Sequence, residues 1–201
     1  MEGLDLHLRP WRVSDLEEMA RWHVSGATWR RFDAPYLPPA SAAAMVEQVR
    51  AWLLRPPAVA ESLVVADSDS DRLLGRVWRY WQCRDSRWLS TGVVLYDPTY
   101  WHRGLGYQAL GLWCEHLFTV MTDLRRLDLR TWSGNPAMMR LAARLGFVEE
   151  GRFRRAREVD GVHYDALAYG VLREEWRSRY PAGFAQALTR RVPDSTVLAA
   201  P

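Results

Sequence analysis

Hydrophobic residues alternate with polar ones at the start of the chain, and this period of two predicts a half-buried strand over residues 4–8. Ser14 and Glu17 have the spacing of a capping box, so we expect a helix to begin there. Ser41 is the expected N-cap of a second helix that ends before Pro56. Short apolar stretches then predict three further strands, at residues 63–66, 73–82 and 88–96. Because no helix separates these strands, they should form an antiparallel meander.

The second half of the chain alternates helices with strands. Apolar residues at spacings of three and four predict a helix after residue 104 that buries Leu110, Trp113, Leu117 and Met121. The strand expected at residues 126–132 follows that helix and can therefore lie parallel to the strand before it. Pro136 and Gly146 mark the ends of the next helix. Asp160-Gly161 is the turn expected between the two final strands, residues 152–159 and 162–172.

Composition restricts the class of protein. The chain has 201 residues, 48% of them hydrophobic, which suits a single domain over residues 1–180 followed by a tail at 181–201 with a short helix near Phe184–Leu188. No apolar run reaches the roughly 18 residues of a membrane span, and the N-terminus shows no signal segment. Cys83 and Cys114 do not form a disulfide framework. We therefore expect a cytoplasmic protein with no membrane partner.

All 27 basic residues are arginines, which narrows the chemistry that is open to the protein. Without lysine, Schiff-base chemistry and a Walker phosphate loop are excluded. The five histidines show no metal-ligand spacing, so we expect no metal. The net charge is only +3, and the densest basic cluster, within residues 152–157, is either solvated or a phosphate contact. We do not expect nucleic-acid binding, because it needs a clustered basic face.

The stretch from Val93 to Gly111 carries the first candidate chemistry. Its apolar beginning is typical of a buried strand that ends at Asp97-Pro98, and Arg103 to Gln108, with two glycines, precedes the predicted helix. The first turn of such a helix has free N–H groups and the positive end of the helix dipole, which together suit a phosphate or pyrophosphate. An ordinary glycine turn between a strand and a helix explains the residues equally well.

Arg103 and Gly106 match the Arg-x-x-Gly core of an acyl-CoA-binding loop, and the stretch resembles that of the GCN5-related N-acetyltransferase (GNAT) superfamily. The preceding Asp-Pro-Thr-Tyr-Trp is similar to the branch of ribosomal-protein alanine N-acetyltransferases. In the family, the main-chain amides of this loop hold the CoA pyrophosphate. Gln108 replaces a small residue of the family pattern. The resemblance implies the same role for this loop, provided that the Gln108 side chain points away from the phosphates.

The segment from Asn135 to Phe147 resembles the second CoA motif of the same family. Asn135 is the only asparagine of the chain, and Gly146-Phe147 follows at the distance of the family motif. By spacing alone, Asn135 is equally well explained as a helix cap. The resemblance covers roughly residues 4–180 and implies the family's mixed α/β (α+β) fold. That fold has a central, mostly antiparallel twisted sheet of about seven strands, splayed at the CoA site and flanked by about four helices.

The resemblance also implies the co-substrate, acetyl-CoA, and the residues that would bind it. They come from the strand, the loop and the second motif: Val93, Val94, Leu95, Arg103, Gly104, Leu105, Gly106, Tyr107, Gln108, Asn135 and Met138. The implied reaction is direct transfer of an acetyl group to an amine. A main-chain N–H of residues 93–95 would polarise the thioester carbonyl.

The catalytic side chains are less clearly indicated. Where this chain has Met138, the branch often has Ser, and where it has Ala142, the wider family often has Tyr, so neither position can donate a proton to the leaving thiolate. Water, the departing ammonium or Tyr164 is left as the donor. For the base that deprotonates the amine, Glu158 is the first candidate and His102 the second. A surface ion pair or an ordinary loop position explains each of these two residues at least as well.

Residues 24–40 form the candidate acceptor wall, because they are irregular and rich in aromatic residues. Four side chains are candidates for substrate binding: Trp29, Phe32, Asp33 and Tyr36. Rings with one carboxylate suit an amine, although a loop that caps the core with its aromatic residues is an equal alternative. The expected acceptor is a protein N-terminal α-amine, and a small amine such as an aminoglycoside or polyamine is the alternative. A catalytically weak acyl-CoA sensor and a homodimer are further alternatives that the sequence leaves open.

Overall fold

A computed structural model describes residues 1–38 and 40–189 of the chain. Seven strands form one sheet: β1 (Leu6–Arg9), β2 (Ser62–Asp67), β3 (Leu73–Cys83), β4 (Trp88–Leu95), β5 (Arg126–Trp132), β6 (Val148–Val159) and β7 (Val162–Leu172). The described residues also contain six α-helices: α1 (Asp15–Trp22), α2 (Ala42–Leu54), α3 (Leu105–Val120), α4 (Pro136–Leu145), α5 (Arg173–Arg179) and α6 (Phe184–Thr189). The predicted mixed α/β fold is confirmed, with two short helices after the four longer ones.

The strands lie side by side in the order β1-β2-β3-β4-β5-β7-β6. Adjacent strands are antiparallel, except that β4 and β5 are parallel because α3 carries the chain back between them. The predicted meander and the predicted hairpin are both confirmed. Asp160 and Gly161 have φ of 52° and 76°, as the two central residues of a type I′ turn require.

The sheet is covered on both faces, because side chains of successive strand residues point to opposite sides. Val93 packs into the cluster around α3, α4 and α6, whereas its neighbour Val94 packs into the cluster around α1 and α2. The helix α3 is buried on nearly all sides, and its residues fill the centre of the larger cluster. This central position fixes where the N-terminus of α3 lies relative to β4.

Two of the predicted helix caps, Ser41 and Gly146, are confirmed. Ala44 N donates to the Ser41 side chain at 3.1 Å, and Gly146 ends α4 with φ of 96°. The capping box predicted at Ser14 is wrong: Ser14 has helical dihedral angles and its side chain makes no cap hydrogen bond. The adjacent Asp15 is buried and accepts two hydrogen bonds from Arg9, at 2.8 and 2.9 Å. This ion pair joins the start of α1 to β1 and takes the place of a local cap.

The short helix predicted near Phe184–Leu188 is present as α6, and it packs into the core. Phe184 is fully buried against α3, where a Cβ atom added at Gly111 would lie 2.0 Å from the Phe184 ring. Gly111 therefore provides the space that the ring occupies. Residues 190–201 lie outside the described residues, and the division of the chain at residue 180 stays a prediction.

β6 is an edge of the sheet, and most of its residues are exposed. Its pairing with β7 is irregular at two places, between Glu149 and Gly151 and between Phe153 and Arg157. Arg152 in this strand forms ion pairs with Glu149 and Asp165, at 2.8 and 2.9 Å. For Arg152, the solvated interpretation of the basic cluster therefore fits better than a phosphate contact.

Arg173, the first residue of α5, is buried and binds the C-terminal end of α3. Its guanidinium donates to the main-chain oxygens of Phe118, Met121 and Leu124 at 2.6, 2.5 and 2.6 Å. Carbonyl groups at the end of a helix have no intrahelical partner and carry the negative end of the helix dipole. Burial lowers the pKa of Arg173, and the three carbonyls supply the acceptors that its charge needs.

Replacement of Arg173 by methionine should destabilise the protein by about 3 kcal/mol, because the hydrogen bonds to three main-chain carbonyls are lost, those of Phe118 and Met121 at the end of α3 and that of Leu124 after it. Chemical denaturation measures the change in the free energy of unfolding. Arg125→Met removes an exposed arginine nearby and should change it by less than about 0.5 kcal/mol. Equal losses in the two variants would contradict this role for Arg173.

Candidate active site

The strands β4 and β5 separate part of the way along their length. They pair at Trp88–Arg126, Leu89–Leu127 and Ser90–Asp128, and no further pair follows. The remaining residues of both strands line a cleft of about 610 Å³. The predicted splay of the sheet is confirmed.

The side chain of Asp128 lies where the separation begins. This buried carboxylate accepts hydrogen bonds from Trp88 Nε1 at 2.5 Å and from Ser90 Oγ at 3.2 Å, both on β4. Arg130 Nε donates to its second oxygen at 3.2 Å. Asp128 therefore joins the two strands at their last pair and limits the opening to the carboxyl-terminal part of β4 and β5.

The main chain of β4 presents hydrogen-bond donors to the cleft. Tyr96 N–H donates to the Leu74 carbonyl of β3 at 2.9 Å. Because main-chain groups of successive strand residues point to alternate sides, those of Val93 and Leu95 point away from β3 and into the cleft. The Leu95 carbonyl accepts a hydrogen bond from Trp101 Nε1 at 2.9 Å. The N–H groups of Val93 and Leu95 are left to face the cleft as donors.

The N-terminus of α3 forms one end of the cleft. Gly104 precedes the helix with φ of 80°, a conformation that favours glycine. The N–H groups of Leu105 and Gly106 lie in the first turn and have no intrahelical acceptor. A Cβ atom added at Gly106 would meet only the Leu141 side chain, at 3.7 Å, so space is open beside these amides. The arrangement suits an anion at the positive end of the helix dipole.

Two arginines of α4 extend the positive region. Arg140 and Arg144 are four residues apart, lie on one face of the helix and line the cleft. The Arg144 guanidinium also lies over the Tyr107 ring, 4.0 Å from its centroid. These two cations stand beside the α3 N-terminus and can neutralise phosphate groups.

Asn135 connects α4 to the acceptor wall. Its Oδ1 accepts from Met138 N at 3.0 Å, which is an N-cap, and its Nδ2 donates to the Phe32 carbonyl at 3.2 Å. Trp132 Nε1 donates to the same carbonyl at 3.2 Å. The expectation that Asn135 is a cap residue is thus met, and the side chain also holds residues 24–40 against the cleft.

The acceptor wall meets the cleft with aromatic rings and one carboxylate. All four predicted substrate-binding residues line the cleft: Trp29, Phe32, Asp33 and Tyr36. Among the cleft-lining residues in the described part of the chain, Asp33 is the only carboxylate. Its side chain is exposed to solvent in the cleft. The protein atoms around the carboxyl nevertheless desolvate it in part, and this desolvation raises its pKa above the usual value. Arg76 and Arg30 oppose the shift.

The structure brings most, not all, of the sequence-predicted residues to the cleft. The predicted CoA-binding residues that line it are Val93, Val94, Leu95, Gly104, Gly106, Tyr107, Asn135 and Met138. His102 also lines it, as an exposed loop residue with φ of 61°. Arg103 and Leu105 belong to the loop but not to the cleft lining, and Arg103 lies over the Tyr100 ring.

The side chain of Gln108 points away from the cleft, as the sequence interpretation required. Its Oε1 accepts from Leu4 N at 2.8 Å, and its Nε2 donates to Asp5 Oδ2 at 2.8 Å. The large residue in the glycine loop therefore ties α3 to the N-terminal segment and leaves the first turn of the helix open.

Two candidate catalytic residues do not line the cleft. Glu158 is exposed on β6, opposite His163 in the hairpin. Tyr164 packs edge-on against Trp132, with ring centroids 4.8 Å apart. Trp132 lines the cleft, whereas Tyr164 does not. Ala142 is fully buried in the core, so a larger residue at this position would have to displace core side chains to reach the cleft.

Several cleft residues were not identified from the sequence. Those with large or charged side chains include Trp78, Tyr80, Trp101, Arg130, Trp132, Arg140 and Arg144. The i, i+4 spacing of the two arginines after Asn135 could have indicated a common helix face. The tryptophans give no local signal, because buried aromatic residues are also typical of a core.

The described residues contain no helix long and apolar enough to cross a membrane. In the same part of the chain, no three His, Cys, Asp or Glu residues are grouped as metal ligands would be.

Comparisons with known proteins bear on the fold and the cleft. A family model of the acetyltransferase (GNAT) domain matches residues 5–148. A putative ribosomal N-acetyltransferase of Bacillus subtilis, YdaF, is 35% identical over 66 residues, which are 31% of this chain and 36% of that protein. The curated relatives are matched over less than half of their own length.

Solved structures share the fold over most of their length. A GNAT-family acetyltransferase from Bacillus anthracis superposes with a TM-score of 0.70 at 18% identity, covering 87% of this chain and 98% of that one. A Vibrio cholerae spermidine N-acetyltransferase in complex with CoA and spermine superposes with a TM-score of 0.68 at 18% identity, covering 86% and 98%. The family match over residues 5–148, in a chain whose sheet opens beside a glycine-led helix, shows that this protein belongs to the GNAT acetyltransferase family.

Proposed function

We propose that the protein transfers an acetyl group from acetyl-CoA to a primary amine. The main support for the proposal is that β4 separates from β5 after Ser90. The free N–H groups of β4 therefore face a cleft that ends at the open N-terminus of α3. A strand with unpaired donors suits the amide-rich arm of CoA, and the helix terminus with Arg140 and Arg144 suits its phosphates. The name of the Vibrio cholerae relative, which was solved with CoA, agrees with this use of the fold.

The proposed step joins the amine nitrogen to the acetyl carbon and breaks the bond from that carbon to sulfur. The amine loses one proton, and the CoA thiolate that leaves takes up one proton. The N–H groups of Val93 or Leu95 can stabilise the negative charge that develops on the carbonyl oxygen. Met138 cannot donate to the thiolate, so water or the protonated nitrogen of the tetrahedral intermediate supplies that proton.

We propose that Asp33 binds the ammonium group of the acceptor and accepts its proton, directly or through water. It lies in the cleft among aromatic rings, and desolvation by the surrounding protein atoms raises its pKa, which brings a carboxylate closer to the range of an effective base. His102 lines the same cleft and is the second candidate. Glu158, the first candidate from sequence, stands outside the cleft lining and becomes the third.

The acceptor proposed from the sequence is a protein N-terminal α-amine, and the protein would act in the cytoplasm. The name of the Bacillus subtilis relative, a putative ribosomal N-acetyltransferase, agrees with such an acceptor. A small amine is the alternative, since the Vibrio cholerae relative is a spermidine acetyltransferase. The wall of aromatic rings with Asp33 suits the ammonium of either class.

Incubation of the full chain with acetyl-CoA and a panel of peptides and small amines tests the proposal. Release of free CoA thiol that depends on the amine, with a matching mass increase of the acceptor, is the expected result. Thermal stabilisation by CoA without turnover on any amine would favour the alternative of an acyl-CoA sensor. The reason to consider that alternative is the absence of a proton donor at Met138 and Ala142. Absence of both effects would contradict CoA binding altogether.

Gly106→Ala should weaken CoA binding at least about 10-fold while leaving the fold intact, because the new methyl group meets only Leu141 at 3.7 Å in the protein but projects beside the phosphate-binding amides. Alanine also has a higher helix propensity than glycine, so the free energy of unfolding should be unchanged or raised by up to about 1 kcal/mol. Calorimetric titration with CoA and chemical denaturation measure the two effects. Unchanged CoA affinity in a stable variant would place the phosphates elsewhere.

Asp33→Asn should lower kcat/KM about 100-fold, because the amine loses its carboxylate. In the wild-type protein, kcat/KM should fall as the pH drops through the raised pKa of Asp33, since the protonated carboxyl can neither bind an ammonium nor accept its proton. The variant should lose this dependence. Glu47→Gln, an exposed change on α2, is the control. A comparable loss in Glu158→Gln or His102→Gln, with none in Asp33→Asn, would assign the base to one of those residues.

A further inference from the structure

A second cavity lies behind Asp33. This side cavity has a volume of about 410 Å³ and shares Trp29, Asp33 and Ala34 with the wall of the main cleft. Its other walls come from residues 23–38, from Ala40, from Met45 of α2 and from Arg76 of β3. Because three residues line both spaces, a molecule whose amine reaches Asp33 from the cleft has the side cavity directly beside it.

The side cavity is cationic. Arg30, Arg31 and Arg76 line it, and Asp33 is the only carboxylate among its described lining residues. His23 adds no charge at neutral pH, because burial lowers its pKa below the usual value and its Nδ1 is hydrogen-bonded to the Met19 carbonyl at 2.8 Å. The positive charges therefore exceed the negative charge of Asp33, and a second ammonium in this space would be repelled.

The cavity wall also has more donors than acceptors. The Nε atoms of Arg30 and Arg76 are buried and have no hydrogen-bond partner among the described residues. Buried polar groups are normally satisfied, so unpaired donors around one cavity indicate a place for an external acceptor. Since both donors are cations, that acceptor is best an anion.

The two guanidinium groups are held in place before any ligand binds. Arg30 donates to the carbonyls of His23 and Ala40, at 3.2 and 2.9 Å, and stacks over Trp29. Arg76 lies over the Trp78 ring, 4.8 Å from its centroid, and no ion pair in the described part of the chain involves it. Stacking fixes the plane of each guanidinium, which favours the two-point recognition of a carboxylate.

We propose that the amine acceptor carries a carboxylate, with its ammonium at Asp33 in the cleft and its carboxylate in the side cavity against Arg76 and Arg30. This inference rests on the proposed acetyl transfer and narrows its substrate class. The carboxylate can be the α-carboxylate of an amino acid or the side chain of an acidic residue near a peptide N-terminus. A polyamine has no group that suits the cavity, because its second ammonium would meet the arginines.

Matched acceptor pairs test the inference on the wild-type protein. The pairs are Ser-Asp-Ala-amide with Ser-Asn-Ala-amide, Ser-Glu-Ala-amide with Ser-Gln-Ala-amide, and free serine with serinamide. In at least one pair, kcat/KM for the acidic member should exceed that for the neutral member by roughly 10- to 100-fold, the range of a charge-assisted hydrogen bond. The peptide pairs report an acidic side chain and the serine pair reports an α-carboxylate.

Arg76→Gln should remove most of this preference, measured as the ratio of kcat/KM between the acidic and the neutral member of each pair within the same variant. Arg84→Gln is the matched control, because Arg84 is exposed and lines neither cavity. Thermal unfolding and CoA titration establish that each variant is folded and binds the co-substrate. Because the matched acceptors are compared on the wild-type protein, the test does not depend on the folding of Arg76→Gln.

Equal kcat/KM within all three pairs, or a preference for spermidine over every acidic acceptor, would overturn the inference and leave the acetyl transfer standing. An acidic preference that Arg76→Gln and Arg84→Gln retain equally would also overturn it, because the carboxylate would then bind elsewhere. Lack of turnover on any amine would overturn the proposed function itself, and this inference with it.

Discussion

The buried carboxylate of Asp128 joins β4 to β5 at the last position where the two strands pair. Its hydrogen bonds to Trp88 and Ser90 hold the strands together on one side of that position, and the sheet opens on the other side. A strand inside a sheet normally has partners for all its main-chain groups, so the N–H groups of Val93 and Leu95 are left for a ligand to satisfy. The cleft is therefore a consequence of where strand pairing stops, and it requires no special side chain at its floor.

Two other interactions align the rest of the site with this opening. Arg173 binds the carbonyls at the C-terminal end of α3, and Gly104 allows the turn at its N-terminal end, so the helix is fixed at both ends. On the opposite wall, Trp132 and Asn135 both donate to the Phe32 carbonyl. The second sequence motif thus positions the segment that contributes Asp33, and a change in α4 would alter the acceptor wall as well as the part of the cleft that Arg140 and Arg144 line.

The sequence predicted the order of strands and helices, the parallel pair and the glycine loop that lines the cleft, because these depend on local spacing and on glycine. It did not predict which distant side chains meet. An ion pair between Arg9 and Asp15 is present instead of the expected cap at Ser14. The register and the irregular pairing of the final hairpin place Glu158 and Tyr164 outside the cleft lining. Asp33 was recognised as a candidate within an aromatic segment, but the side cavity beside it depends on Arg76, which lies on the distant strand β3. No local pattern connects those two residues.

The edge strand β6 has a consequence for how the protein behaves in concentrated solution. A long exposed edge offers unpaired main-chain groups to other molecules and invites intermolecular strand addition. Here the edge is interrupted by two irregularities, and Arg152, Arg154 and Arg155 stand along it. Like charges on approaching molecules would repel, and the interrupted ladder offers no long, straight template. Arg154 and Arg155, together with the two irregularities of the strand, therefore oppose edge-to-edge aggregation of the protein.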